Sequence, residues 1–277
     1  MLIGKILLLT AMFFSLSPAL YGEEPAVSPQ SKSCFNCHAG LTPGIVGDWK
    51  TSLHSVTTPS EAWKKPEIER RLSALDEKLK DTVVGCYECH GLNTEKHADS
   101  FEHYGHKINV IVTPDDCSTC HPTEVKQYSG SKKAHALGNL YDNPVYHMLV
   151  KTVIGPKEVE NGRVTPSEPS DYTRQETCFA CHGTVVTVEG LKTIKTALGV
   201  MKVPKLKNWP NQGVGRINPD GSRGSCTPCH ARHSFSIEMA RKPYTCSQCH
   251  LEPDTPAWNV YEESKHGNIL SSNISKW

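Results

Sequence analysis

Apolar residues are sparse along this 277-residue chain and fall into short runs. The longest covers residues 6–16, after Lys5 and before the small-residue stretch 19–22. That pattern reads as a secretory signal peptide over residues 1–22. The run falls short of the about 20 residues that a membrane span needs. Ile68, Leu72, Leu75 and Leu79 recur at helical spacing and predict a helix over residues 60–80. Ser60 is its expected cap, with Pro66 as a kink or the true start. Shorter helices are predicted over 123–137, 145–153, 236–241 and 258–270. Residues 107–112 alternate and are rich in Ile and Val, which predicts a short strand. Gly, Pro, Asn and Ser mark 155–174 and 205–225 as loops. The hydrophobic fraction is 37%, low for a domain of this length, so these elements need something besides side chains to complete a core.

The cysteines supply it. All 12 Cys fall into six C-x-x-C pairs, each followed directly by His. The runs are Cys34, Cys37, His38; Cys86, Cys89, His90; Cys117, Cys120, His121; Cys178, Cys181, His182; Cys226, Cys229, His230; and Cys246, Cys249, His250, here numbered motifs 1 to 6. With 14 His in the chain, six such placements by chance have a probability on the order of 10⁻⁸. A disulfide framework does not require His after each pair. A zinc site usually takes two pairs per metal. C-x-x-C-H attaches a c-type haem: the two thiols add to the vinyl groups and the His reaches the iron. The expectation is six haems c in an exported, periplasmic chain. The fold expected is mainly α, a multihaem cytochrome c with short helices and loops around closely packed haems and little β, forming one domain over residues 23–277. The motif spacing has no fixed period. Without haem the chain is expected to be largely unfolded.

Eight other His remain, and a low-spin electron-carrying haem takes a second strong axial ligand. His54, His135 and His266 follow aromatic and Ser positions in related contexts and are expected ligands, as are His147 and His233. Among the neighbouring His97, His103 and His106, His103 is favoured. The formal charge of +1 points to neither nucleic acid nor an anionic membrane as a partner. Counting ligands does not distinguish an enzyme from an electron wire with every iron held by two His, so both readings stand.

Three stretches are more specific than the motifs: residues 208–222 (NWPNQGVGRINPDGS), 226–236 (CTPCHARHSFS) and 246–254 (CSQCHLEPD). With 261–267 (YEESKHG) and 112–125 (VTPDDCSTCHPTEV), they make nearly all of the mature chain resemble the octahaem hydroxylamine oxidoreductase family. The resemblance implies eight haems in a longer protein, of which this chain is the N-terminal six-haem portion. It implies a catalytic fourth haem, here on Cys178, Cys181 and His182, with an open distal side. It also implies a homotrimer, a small nitrogen compound (hydroxylamine or nitrite) as substrate, and a partner cytochrome or quinone-linked membrane protein for the electrons. The family's distal Asp-His pair corresponds to Asp254 and Thr255, so the Asp is kept as the proton-handling group and the His is lost. That loss tilts the expectation from hydroxylamine oxidation toward reduction of nitrite or hydroxylamine to ammonia.

Overall fold

The computed structural model describes residues 25–252 and 255–276. The signal-peptide segment lies outside the described residues, as does Asp254. The fold is mostly short helices with a few two-stranded sheets, as expected. The longest helix, Pro29–Leu41, carries motif 1 and is capped by Ser28, whose hydroxyl accepts from Ser31 N. Among the described residues no helix is long and apolar enough to cross a membrane.

The predicted helix over 60–80 does not form. Only Pro59–Trp63 is helical, started by a capping box between Thr58 and Glu61 rather than by Ser60. Pro66 lacks the N–H the helix would need and disfavours helical geometry at the residue before it. Beyond it the backbone bonds elsewhere: Ser73 N and Ala74 N both donate to Cys120 O, at 2.9 and 3.0 Å. The apolar spacing survives only in part, since Leu72 is buried while Ile68 is 86% exposed. The helix expected over 123–137 is likewise two, Pro122–Ser129 and Ala136–Tyr141. That over 258–270 is divided at Ser264, whose side chain caps the second piece, Lys265–Ser272, through Gly267 N. Pro144–Ile154 and Ile237–Arg241 match expectation closely.

Among the described residues, three antiparallel hairpins make up the sheets: β1 (Ser100–His103) with β2 (His106–Asn109), β3 (Lys157–Glu160) with β4 (Arg163–Pro166), and β5 (Thr187–Thr196) with β6 (Gly199–Lys207). The second falls inside a segment read as loop. Its turn is Asn161–Gly162, both at positive φ, the Asn-Gly signal of a tight hairpin. The third was not anticipated. A register shift between Val188 and Leu191 interrupts its alternation. The buried apolar residues are few: Val46, Leu72, Val83, Ile111, Ala134, Leu137, Val150, Phe179 and Val186.

Candidate functional site: six attachment motifs in three pairs

The C-x-x-C-H spacing is that of one helical turn. In motifs 2, 3, 5 and 6 the His N–H donates to the carbonyl of the first Cys at 2.9 to 3.0 Å. Motif 1 lies within a longer helix, and motif 4 is the helix Cys178–His182. Positions i, i+3 and i+4 of a turn share a face, so both thiols and the imidazole point the same way. No two of the twelve cysteines are joined by a disulfide.

The motifs meet in pairs through these thiols. The Cys34 thiol lies within interaction reach of Cys86, Cys117 of Cys226, and Cys181 of Cys249. Motif 1 thus faces motif 2, motif 3 faces motif 5, and motif 4 faces motif 6. Buried polar side chains fix the first pair. Ser31 Oγ donates to Glu88 Oε2 at 2.6 Å and accepts from Tyr87 N, and Gly85 N donates to the same carboxylate oxygen at 2.9 Å. The second pair is tied by Tyr128, which follows motif 3. Its hydroxyl donates to Val214 O and accepts from Ser225 N at 3.1 Å, just before motif 5. Gly224 lies under that ring at φ +95°, where a Cβ would come within 2.3 Å of Tyr128.

These side chains fit a haem iron. His90 Nδ1 donates to Asn109 O at 2.8 Å and His182 Nδ1 to Ala136 O at 3.0 Å, while His38 Nδ1 pairs with Thr42 Oγ1 at 3.0 Å. Such bonds fix the ring and leave Nε2 for a metal. Imidazole nitrogens bind first-row metals at about 2 Å, so two rings on opposite sides of one iron stand roughly 6 Å apart between centroids. His38 and His103 stand at 6.1 Å, and His54 and His121 at 6.3 Å. An apolar groove of about 440 Å³ lined by Phe101, Tyr104, Leu191, Val200 and Met201 adjoins His103, and Met201 Sδ lies 3.2 Å from His103 Nδ1. Burial, with the charges of His121 and His230, lowers the His54 pKa to about 4 and keeps the ring neutral, with one nitrogen free to bind a metal.

The other His named from sequence have different surroundings. His233 lies within electrostatic reach of His90. His135 and His147 commit Nε2 to the carbonyls of Ser129 and Tyr141, at 2.9 and 2.6 Å. His266 is exposed at the start of its helix. His106 Nε2 is 3.2 Å from Ser33 Oγ. His97 is buried between two carboxylates, 3.4 Å from Asp99 and 3.2 Å from Asp116. Burial opposes its protonation, but the hydrogen bond to Asp116 and the charge of both aspartates outweigh that and raise its pKa to about 10.

Two groups escaped the sequence reading. Tyr141, Tyr146 and His147 cluster beside motif 4, with Tyr141 stacked on Phe179 at 5.9 Å. Trp209 lies between two guanidiniums, those of Arg216 and Arg232. His147 and the 208–222 stretch are singled out by sequence, but the contacts with Phe179 and Arg232 come together only through the fold. Thr255 turns back on its own motif, its N–H donating to Leu251 O at 2.9 Å and its hydroxyl facing Cys249 O at 3.5 Å.

Known proteins match the same pattern. Residues 218–277 match a family model described as seven times multi-haem cytochrome CxxCH, and residues 116–203 one described as cytochrome c554 and c-prime. The probable nitrite reductase-hydroxylamine oxidoreductase fusion protein of Kuenenia stuttgartiensis is 26% identical over 260 residues, which are 88% of this chain and 22% of that protein. A solved hypothetical multiheme protein is 51% identical with a TM-score of 0.82, covering 91% of this chain and 48% of its own. A reducing HAO-like protein complex of Kuenenia stuttgartiensis shares the fold at 22% identity and a TM-score of 0.50, over 89% of this chain and 36% of its own. The chain therefore spans less than half the length of each of these relatives. It is a multihaem c-type cytochrome, distantly related to the hydroxylamine oxidoreductase-like proteins.

Proposed function

We propose that this chain is an oxidoreductase of small inorganic nitrogen compounds, with its reaction centre at motif 4 and electron carriers at the other five motifs. A haem there supplies an iron able to bind a nitrogen oxide or hydroxylamine and exchange electrons with it. The carrying observation is the contrast around the proximal histidines. His38 and His121 each face a second imidazole at axial spacing. The histidines on the helices next to His182, His135 and His147, hold carbonyls with Nε2 instead. His90, His230 and His250 likewise show no imidazole partner at that spacing among the described residues, so the choice of motif 4 adds to this contrast its fourth place in chain order, the catalytic place in the family the chain resembles; His182 would hold the haem there, leaving its far side open.

His103 and His54 are the second ligands at motifs 1 and 3, and His233 serves motif 2. His266 and one of His135 and His147 fill the two remaining positions, at motifs 5 and 6, the latter binding once its Nε2 leaves its carbonyl. Asp254 handles protons at the reaction centre. Reduction of nitrite or hydroxylamine toward ammonia is the favoured direction, because the Thr255 hydroxyl faces its own motif and has no acid–base role there. Export to the periplasm, a homotrimeric assembly, and a cytochrome or quinone-linked membrane protein as electron partner complete the proposal.

The test is carbon monoxide added to the dithionite-reduced holoprotein, followed by turnover assays with nitrite and hydroxylamine. Carbon monoxide bound at one haem, together with dye-linked reduction of either compound, supports the reading. A spectrum that carbon monoxide leaves unchanged overturns it in favour of a non-catalytic electron carrier with every iron held by two His.

A further inference from the structure

The segment between motifs 4 and 5 buries a positive charge with which no carboxylate side chain among the described residues forms an ion pair. Arg216 is 1% exposed. Its Nε donates to Asn218 Oδ1 at 2.6 Å and its Nη1 to Asn211 O at 2.7 Å, both neutral acceptors. Its guanidinium carbon stands 5.0 Å from the Trp209 ring centroid, and that of the half-buried Arg232 stands 5.7 Å from the same ring. The arginine ion pairs among the described residues belong to Arg174. The nearby Asp220 is committed to Thr113 Oγ1 and to the backbone and hydroxyl of Ser222. Burying an unpaired guanidinium is costly, so its retention asks for a reason.

Its position supplies one. Val214 N and Gly215 N bond the carbonyls of Cys181 and His182, and Gly224 N bonds Arg216 O two residues before Cys226. The Arg216 charge reaches the Cys226 thiol, which touches Cys117. We infer that Arg216 is a fixed internal cation that raises the reduction potential of the haem attached at Cys226 and Cys229, and of its neighbour at Cys117 and Cys120. An iron held by two neutral imidazoles in a porphyrin carries one more positive charge oxidised than reduced. A cation in a low-dielectric surround therefore disfavours the oxidised form. Arginine suits the role because it stays charged: burial first, then the charge of Arg232, lowers its pKa only to about 10. Trp209 screens the two like charges by offering a π face to each. Motifs 3 and 5 then form the electron-holding middle of the chain. The inference rests on haem attachment at those motifs and is independent of the reaction proposed above.

Potentiometric titration of the holoprotein, followed optically and by electron paramagnetic resonance, tests it. In Asn218→Asp a carboxylate replaces the neutral acceptor at Nε, at the cost of the bonds that Asn218 Nδ2 donates to Ser222 O, Ser222 Oγ and Gly224 O. Two haem midpoints are expected to fall while the others hold, with Arg216→Met giving the same or a larger fall and Arg216→Lys staying near wild type. Unchanged midpoints in Asn218→Asp overturn the inference, as does a fall in Arg216→Lys equal to that in Arg216→Met. If Arg216→Met yields no holoprotein, Arg216→Gln against Arg216→Lys decides: a fall only in Arg216→Gln supports the inference, and equal midpoints overturn it.

Discussion

His97, His103 and His106 lie within ten residues of one another, yet the fold gives each different work. His97 is clamped by Asp99 and Asp116, whose other oxygens are themselves held: Asp99 Oδ2 by the N–H groups of Val110 and Ile111, Asp116 Oδ2 by Thr113 N. It therefore acts as an internal ion pair. Its pKa is raised from 6.5 to about 10, so the stabilisation is complete below pH 6.5 and is lost as pH climbs through about 10. His97→Gln is expected to lower the urea midpoint at pH 6 and to lose its effect above pH 10; an equal deficit at both values would contradict the clamp. His103 and His54, in contrast, stand opposite proximal histidines. His103→Ala and His54→Ala are each expected to turn one low-spin haem high-spin in the electron paramagnetic resonance spectrum. An unaltered low-spin signal would remove that residue from the ligand set. The sequence could rank these histidines only by neighbouring residue types. The discriminating partners, His38 and Asp116 among them, come from other parts of the chain.

At the scale of elements, legibility follows how local the determinant is. The attachment turns are readable because five consecutive residues contain the whole of their chemistry. Pro144–Ile154 is readable because Asn143 caps it and Pro144 starts it. The hairpin β3–β4 was readable in principle from Asn161–Gly162, although the surrounding polar composition reads as loop. The helix over 60–80 misleads because its apolar spacing is real while its backbone bonds are taken by motif 3. Pairing of motif 3 with motif 5 and motif 4 with motif 6 has no sequence signal, since it depends on how the segment around residues 209–225 folds back across motif 4. Gly224 is the tightest point of that segment. Gly224→Ala combines a positive φ with a Tyr128 contact, and is expected to cost about 1–3 kcal/mol in chemical denaturation of the holoprotein. Tyr128→Phe should cost less, about 1 kcal/mol, by removing the hydroxyl without adding an atom. The reverse order would mean that the hydroxyl, and not the close approach, holds the segment.

The whole molecule is organised around its prosthetic groups. Few apolar side chains are buried, and the networks that tie elements together converge on the attachment motifs: Ser31 and Glu88 on motifs 1 and 2, Tyr128 on motifs 3 and 5. A chain made without haem is expected to show little fixed tertiary structure by near-ultraviolet circular dichroism. A well-ordered apoprotein would show that the side chains suffice. The central claim is that all six motifs are attachment sites and that twelve thiols are consumed by them. Its most direct test is the intact mass of the protein matured in a host with c-type haem machinery, read beside thiol alkylation under denaturing conditions. The expected result is a mass excess of six haems with no alkylatable cysteine. A smaller excess with reactive thiols remaining, or cysteines recovered as disulfides, would contradict it.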